Sequence, residues 1–366
     1  MAKQEKNHTP LLHIVKRDQG LITWKYRMLV RAIAILSALL VSGVLITLLT
    51  GENPIVVYGS MVSGVFGTTR RIWNTLQGVA ILLCVSLAVT PAFKMKFWNI
   101  GAEGQVLVGG LACVATMMFL GNTMPTPLLL VVMILASVLA GMLWAVLPAV
   151  FKAYWNTNET LFTLMMNYVA TQLVAYFLKV FVKNGSGVLT PMPEFGLPVI
   201  GGQAYLLNIL IVAVLTILVY VYLKYSKQGY EIAVVGESEN TARYIGINVK
   251  KVVVRTMLIS GAICGLAGLL LVGGTNHTIS TTTVGGRGFT AIMVSWLGKF
   301  NPLYMVLTSF LIVFLEMGSQ QVSTDFRISS SISDIVTGII LLFIIGCEFF
   351  LQYRVVVRKN RKEAVQ

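Results

Sequence analysis

The sequence predicts an all-α integral membrane protein of about ten spanning helices, and three observations carry that prediction. Hydrophobic residues make up 56% of the 366 residues and charged residues only 11%, against about a quarter charged in soluble domains. The apolar residues are gathered into blocks near the ~20 residues that a helix needs to cross a hydrocarbon core. Lys and Arg fall between those blocks or near their ends, with a strong bias toward one side.

In chain order, residues 1–28 form a polar tail ahead of the first block, 29–50. That block is too long for the core of a signal peptide, so no cleavage is expected. The blocks that follow are 72–93, 99–120, 127–150, 160–182 and 204–224. After a polar interval the remaining four are 252–274, 284–298, 303–318 and 331–351. The eighth is short and flanked by glycines, which suits a half-spanning or tilted helix. The transmembrane domain is therefore expected over 29–351, with a basic tail at 352–366.

Net charge is +14, and its distribution assigns it to topology rather than to nucleic acid. With the N-terminus inside and ten crossings, 22 of the 28 Lys and Arg residues lie in cytoplasmic segments. The exterior keeps Arg70, Arg71, Lys179, Lys183, Arg287 and Arg327. This obeys the positive-inside rule, so both termini are expected in the cytoplasm, the excess basic charge meets anionic lipid, and no nucleic-acid partner is expected.

Chemistry of the chain's own is excluded by what the sequence lacks. Cys84, Cys113, Cys264 and Cys347 stand singly inside blocks, without disulfide or zinc spacing. His8, His13 and His277 form no metal constellation. No catalytic residues, resident metal or cofactor are expected. Gly298-Lys299 is followed by Phe300, so no phosphate-cradling loop exists. Uphill transport would draw on an ion gradient or on a partner's ATP. Glu103, Glu159, Glu316, Asp334 and Glu348 all lie toward span ends, which disfavours a proton relay and the ion-coupled carrier.

Two polar lines run inside the spans. Asn99 and Glu103 are four apart and share a helix face, with Gln105 and four glycines close by. Glu159, Thr163, Asn167 and Thr171 step by four along the fifth block. Such groups are costly toward lipid and so face other helices or a path. Asn99, Glu103, Gln105, Thr163 and Asn167 are the candidate path residues; helix capping and packing glue are the bland alternatives. Gly261, Gly265 and Gly268 in the seventh block predict a close helix contact.

The polar interval 225–251 is the clearest functional signal. Ser238 is placed to cap a short helix over Glu239–Ile245, with Gly246 ending it. A helix that short is unstable alone and suits docking to a soluble partner. Its expected contact residues are Glu237, Glu239, Ala242, Arg243 and Gly246.

Four strings carry a resemblance: FWNIGAEGQVLVGG, NETLFTLMMNYVA, GYEIAVVGESENTARYIGINVKKVVVRTMLISGAICGLAGL and GRGFTAIMVSWLGKFNP. In order and spacing they resemble permease subunits of ATP-binding-cassette (ABC) importers in the branched-chain amino acid and monosaccharide branch, nucleoside and simple-sugar group. The resemblance implies an inverted pseudo-repeat of spans 2–5 and 7–10, with the cytoplasmic coupling helix between spans 6 and 7. It implies as partners a cassette ATPase that uses the ATP, a second permease subunit, identical or homologous, and an extracytoplasmic substrate-binding protein. The expected function is a path for nucleosides or simple sugars across the plasma membrane. An ion-coupled carrier, or a permease for branched-chain amino acids, is the alternative.

Overall fold

A computed structural model describes residues 12–16, 23–182, 189–327 and 329–357. Most of the N-terminal tail, Lys183, and the basic tail beyond 357 lie outside the described residues. The structure is almost entirely helical, and each of the ten apolar blocks coincides with a helix. Seven helices among the described residues have the length and apolarity to cross a membrane. The span expected over 29–351 is divided between two compact units, 68–314 and a smaller one of 1–67 with 315–366.

The larger unit is built around α3 (Thr69–Lys94), which is buried along nearly its whole length. A helix apolar on every side belongs inside a bundle. Around it stand α4 (Ala102–Leu120), α5 (Thr126–Trp155), α6 (Glu159–Phe181) and α7 (Leu206–Tyr225). The second buried helix is α10 (Val249–Leu271). Two short helices, α8 (Lys227–Glu237) and α9 (Glu239–Tyr244), precede it.

The glycines of α10 meet neighbouring backbones, as their spacing predicts. A Cβ on Gly265 would lie 2.2 Å from the Ser137 carbonyl oxygen, and one on Gly268 would lie 2.4 Å from that of Val106. Helix α10 is thus held between α4 and α5 at a separation that no side chain permits. One π-helical turn, Val272–Asn276, extends it. Irregular backbone follows until α11 (Arg287–Leu297), whose 11 residues span only ~16 Å at 1.5 Å per residue. The eighth block is therefore a half-length helix. The N-terminal part of α12 (Pro302–Asp325) completes this unit.

In the smaller unit α1 (Trp24–Thr50) packs along α13 (Ser330–Gln352). Two features here depart from the expected ten helices. One is α2 (Pro54–Phe66), started by Asn53, whose side chain accepts from the Ile55 N–H, and by Pro54 at the first helical position. Its 13 residues, ~20 Å long, fill what was expected to be a loop and lie against the C-terminal part of α12 through Gly64 and Gly318. The other is an antiparallel strand pair, β1 (Leu12–Lys16) with β2 (Tyr353–Val357). The two flanking segments, expected to be simple tails, are joined there.

Candidate functional site

The break between α3 and α4 is held by side chains. Asn99 is fully buried; its carbonyl oxygen accepts from the Gly101 N–H (3.1 Å) and the Gln105 amide (3.2 Å), and its amide nitrogen donates to Ser260 of α10 (3.4 Å). From α6, the Thr163 hydroxyl accepts from the Ile100 N–H at 3.2 Å and donates to the Glu159 carbonyl at 2.7 Å. Asn167 accepts from the Gly104 N–H (2.8 Å) and donates to the Ile100 carbonyl (2.9 Å). These bonds satisfy backbone groups that the chain leaves open where α4 begins. Just before α6, Asn158 caps its start and Lys152 bridges to Glu159 at 2.9 Å.

Glu103 reaches across to α11. Its two carboxylate oxygens accept from the N–H groups of Gly286 (2.8 Å) and Gly288 (2.7 Å). A carboxylate at a helix N-terminus satisfies open donors and complements the macrodipole. Gly286 sits at φ +78°, where a side chain would be strained, and a Cβ on Gly288 would lie 2.4 Å from the Glu103 nitrogen. The glycine-rich starts of the third and eighth blocks therefore meet, tied by one carboxylate. All five candidate path residues converge on this junction, and none is exposed. Their polar groups bond the protein's own backbone and buried side chains.

The polar interval folds as a pinned pair of helices. Ser226 caps α8 by accepting from the Gly229 N–H at 2.9 Å, and Ser238 caps α9 by accepting from the Thr241 N–H at 3.3 Å. Glu231 of α8 pairs with Arg255 of α10 at 2.9 Å, both largely shielded from solvent. A Cβ on Gly236 would lie 2.1 Å from the Lys94 carbonyl oxygen, so α8 touches the end of α3 backbone to backbone. Beyond this anchor, Glu237, Glu239, Arg243 and Gly246 are exposed as expected, and Glu239 pairs with Arg243 at 3.3 Å. Ala242 departs from the expected contact face: it is fully buried, packed on the inner side of α9. Tyr244, two residues on, is 92% exposed and was not among the expected residues. Its position two residues after Ala242, on the opposite side of a helix, was the available signal.

A second surface the sequence reading missed is the outer side of α6. Tyr168, Gln172 and Tyr176, spaced by four, are all exposed, on the side of the helix turned away from the buried Thr163 and Asn167.

Residues 71–345 match the family described as the permease component of the branched-chain amino acid transport system. The chain belongs to that family. Among its relatives, a glucose ABC transporter permease protein of Haloferax volcanii is 29% identical over 90% of both chains. A guanosine ABC transporter permease protein of Bacillus subtilis is 29% identical over 87% of this chain and 92% of its own. A nucleoside ABC transporter permease protein of Lactococcus lactis is 27% identical over 87% and 90%. The permease is accordingly a multi-pass transport subunit without an ATPase site of its own; in ABC importers that site sits on a separate partner. The four strings that carried the resemblance supply the α4 start, the α6 start, the α8–α10 segment and α11, the parts that build the junction and the pinned pair.

Proposed function

We propose that the protein forms part of the transmembrane path of an ABC importer for nucleosides or related simple sugars, driven by a cassette ATPase that docks on α9. The observation that carries this reading is the pinned helix pair: the six-residue α9 is exposed at its tip and follows α8, which is fixed to α3 and α10. A push on Tyr244 or Arg243 is transmitted through α8 to the Lys94 carbonyl and to Arg255, hence to the two most buried helices. The ATP is used by the partner, and the permease itself needs no cofactor or metal.

The remaining parts follow from the importer plan. A second permease subunit, identical or homologous, completes the path, and an extracytoplasmic binding protein delivers substrate. The location is the plasma membrane with both termini cytoplasmic. The meeting of the α4 and α11 starts fits an inverted repeat of spans 2–5 and 7–10, with the junction near its axis. The guanosine, nucleoside and glucose relatives bound the substrate class. An ion-coupled carrier is disfavoured because Glu103, the acidic group inside the junction, is committed to backbone donors.

The test is co-purification of the permease with its cassette ATPase. Tyr244→Ala and Arg243→Ala should insert normally, lose the ATPase from the purified complex, and lose nucleoside uptake. A double variant that keeps both the ATPase and full uptake refutes docking at α9. Uptake that survives ATP depletion but not an uncoupler refutes the importer reading itself.

A further inference from the structure

Helix α6 has three faces, and the third bears on what passes along it. At ~100° per residue, Thr163, Asn167, Ala170 and Val174 occupy the buried arc. Val169, Leu173 and Val180 form an exposed aliphatic arc beside it. The rest of the exposed surface is a strip ~80° wide that begins with Leu161 and Met165 in the first two turns and continues from mid-helix through Tyr168, Gln172 and Tyr176, with Lys179 at its end.

Depth makes this strip unsuited to lipid. Tyr168 and Gln172 are the tenth and fourteenth of the 23 residues of α6, at mid-span. Tyrosine suits the two membrane interfaces rather than the centre, and an amide or phenol facing hydrocarbon keeps its desolvation cost without a partner. The neighbouring helices show what a lipid-facing surface is here: Leu139 and Leu143 on α5, Val214 and Leu218 on α7, all exposed and all aliphatic. Among the described residues, Tyr168, Gln172 and Tyr176 have no hydrogen-bond partner within the protein.

We propose that Tyr168, Gln172 and Tyr176 are specificity-determining residues of the translocation path, a strip that takes a planar nucleobase. The inference rests on the importer reading and narrows its substrate class to nucleosides. Two phenol rings separated by one amide give stacking faces on either side of a group with both a donor and an acceptor. A base offers a π-face and a paired donor and acceptor edge, which matches that set. A monosaccharide, with hydroxyls all round, needs more polar partners than a single amide and two phenols supply.

The experiment uses the whole complex, permease with its ATPase and binding protein, in proteoliposomes with labelled guanosine as the probe. Tyr168→Leu and Tyr176→Leu should each lower uptake roughly tenfold, the loss of one stacked base contact. Tyr168→Phe and Tyr176→Phe keep the ring and should stay within about twofold, as should the lipid-arc control Leu173→Ala. Separately, a membrane-impermeant thiol reagent should label Gln172→Cys, with guanosine protecting it, and should spare Leu173→Cys; the four native cysteines are buried. Leucine variants at wild-type rates, or an unlabelled Gln172→Cys, overturn the proposal. So does release of the second permease subunit from the leucine variants, which would make the strip a subunit interface. If wild-type uptake needs no ATPase, the importer reading fails instead, whatever the labelling pattern.

Discussion

Asn167 and Gln172 stand five residues apart on one helix and carry the same functional group, yet their surroundings differ completely. Asn167 faces inward and spends its amide on the Gly104 N–H and the Ile100 carbonyl. Gln172 faces outward at mid-span with phenols above and below it. A polar residue inside a membrane helix can thus repair the fold or meet a substrate, and the direction it points decides which. The junction of Asn99, Glu103, Gln105, Thr163 and Asn167 is of the first kind; the outer strip of α6 is of the second.

Substitutions that separate stability from transport test this contrast. The largest stability effect is expected for Asn167→Leu, which leaves a buried N–H and a buried carbonyl without partners. A loss of about 2–5 kcal/mol should appear as a lower melting temperature and a smaller folded fraction in detergent. Glu103→Leu should cost about 2–4 kcal/mol by stripping two donors at the start of α11. Glu103→Gln keeps an acceptor and should cost about half as much. A path-lining Asn99 would make Asn99→Leu lose more uptake than assembly. With the side chain bonded to Gly101, Gln105 and Ser260, the two should fall together, by about 1–3 kcal/mol. Preserved folding with lost uptake in any of these three would move the junction onto the path and break the contrast.

On α9 the buried and the exposed position are expected to differ, and the exposed one gives the smaller effect. Ala242→Trp forces a large ring into the inner side of α9 and should cost about 1–3 kcal/mol through overpacking. Tyr244→Ala should change stability by less than about 0.5 kcal/mol while releasing the ATPase. Equal behaviour of the two variants in a thermal-shift assay would contradict the burial that separates them. Tyr168→Leu belongs to the same low-cost group, and a large melting shift there would mean that the strip packs against protein.

Much of the fold was legible because membrane helices announce themselves by length and apolarity. The Ser238 cap, the short helix after it and the glycine contact of α10 were legible too, since each depends on residues close in sequence. Other features depend on partners far along the chain. Glu103 finds its donors more than 180 residues away, so its i, i+4 pairing with Asn99 suggested a shared face where none operates. The polar line of α6 was visible, but periodicity gives only the spacing of a stripe and not its neighbour. Spacing alone therefore does not distinguish the stripe toward α4 from the one through Tyr168, Gln172 and Tyr176. The short α2 carried an Asn-Pro start signal and a run of apolar residues, but 13 residues fall short of the length that marks a span.

The antiparallel pairing of Leu12 with Val357 and of Lys16 with Tyr353 sets two segments far apart in sequence side by side. A short peptide linker from Val357 to Leu12 would therefore add little closure entropy. New ends opened at the exposed turn Asn122–Thr123 would interrupt neither the junction nor the pinned helix pair. A circular permutant of that design should still assemble, and it would show that the order in which the helices are synthesised is separable from the way they pack.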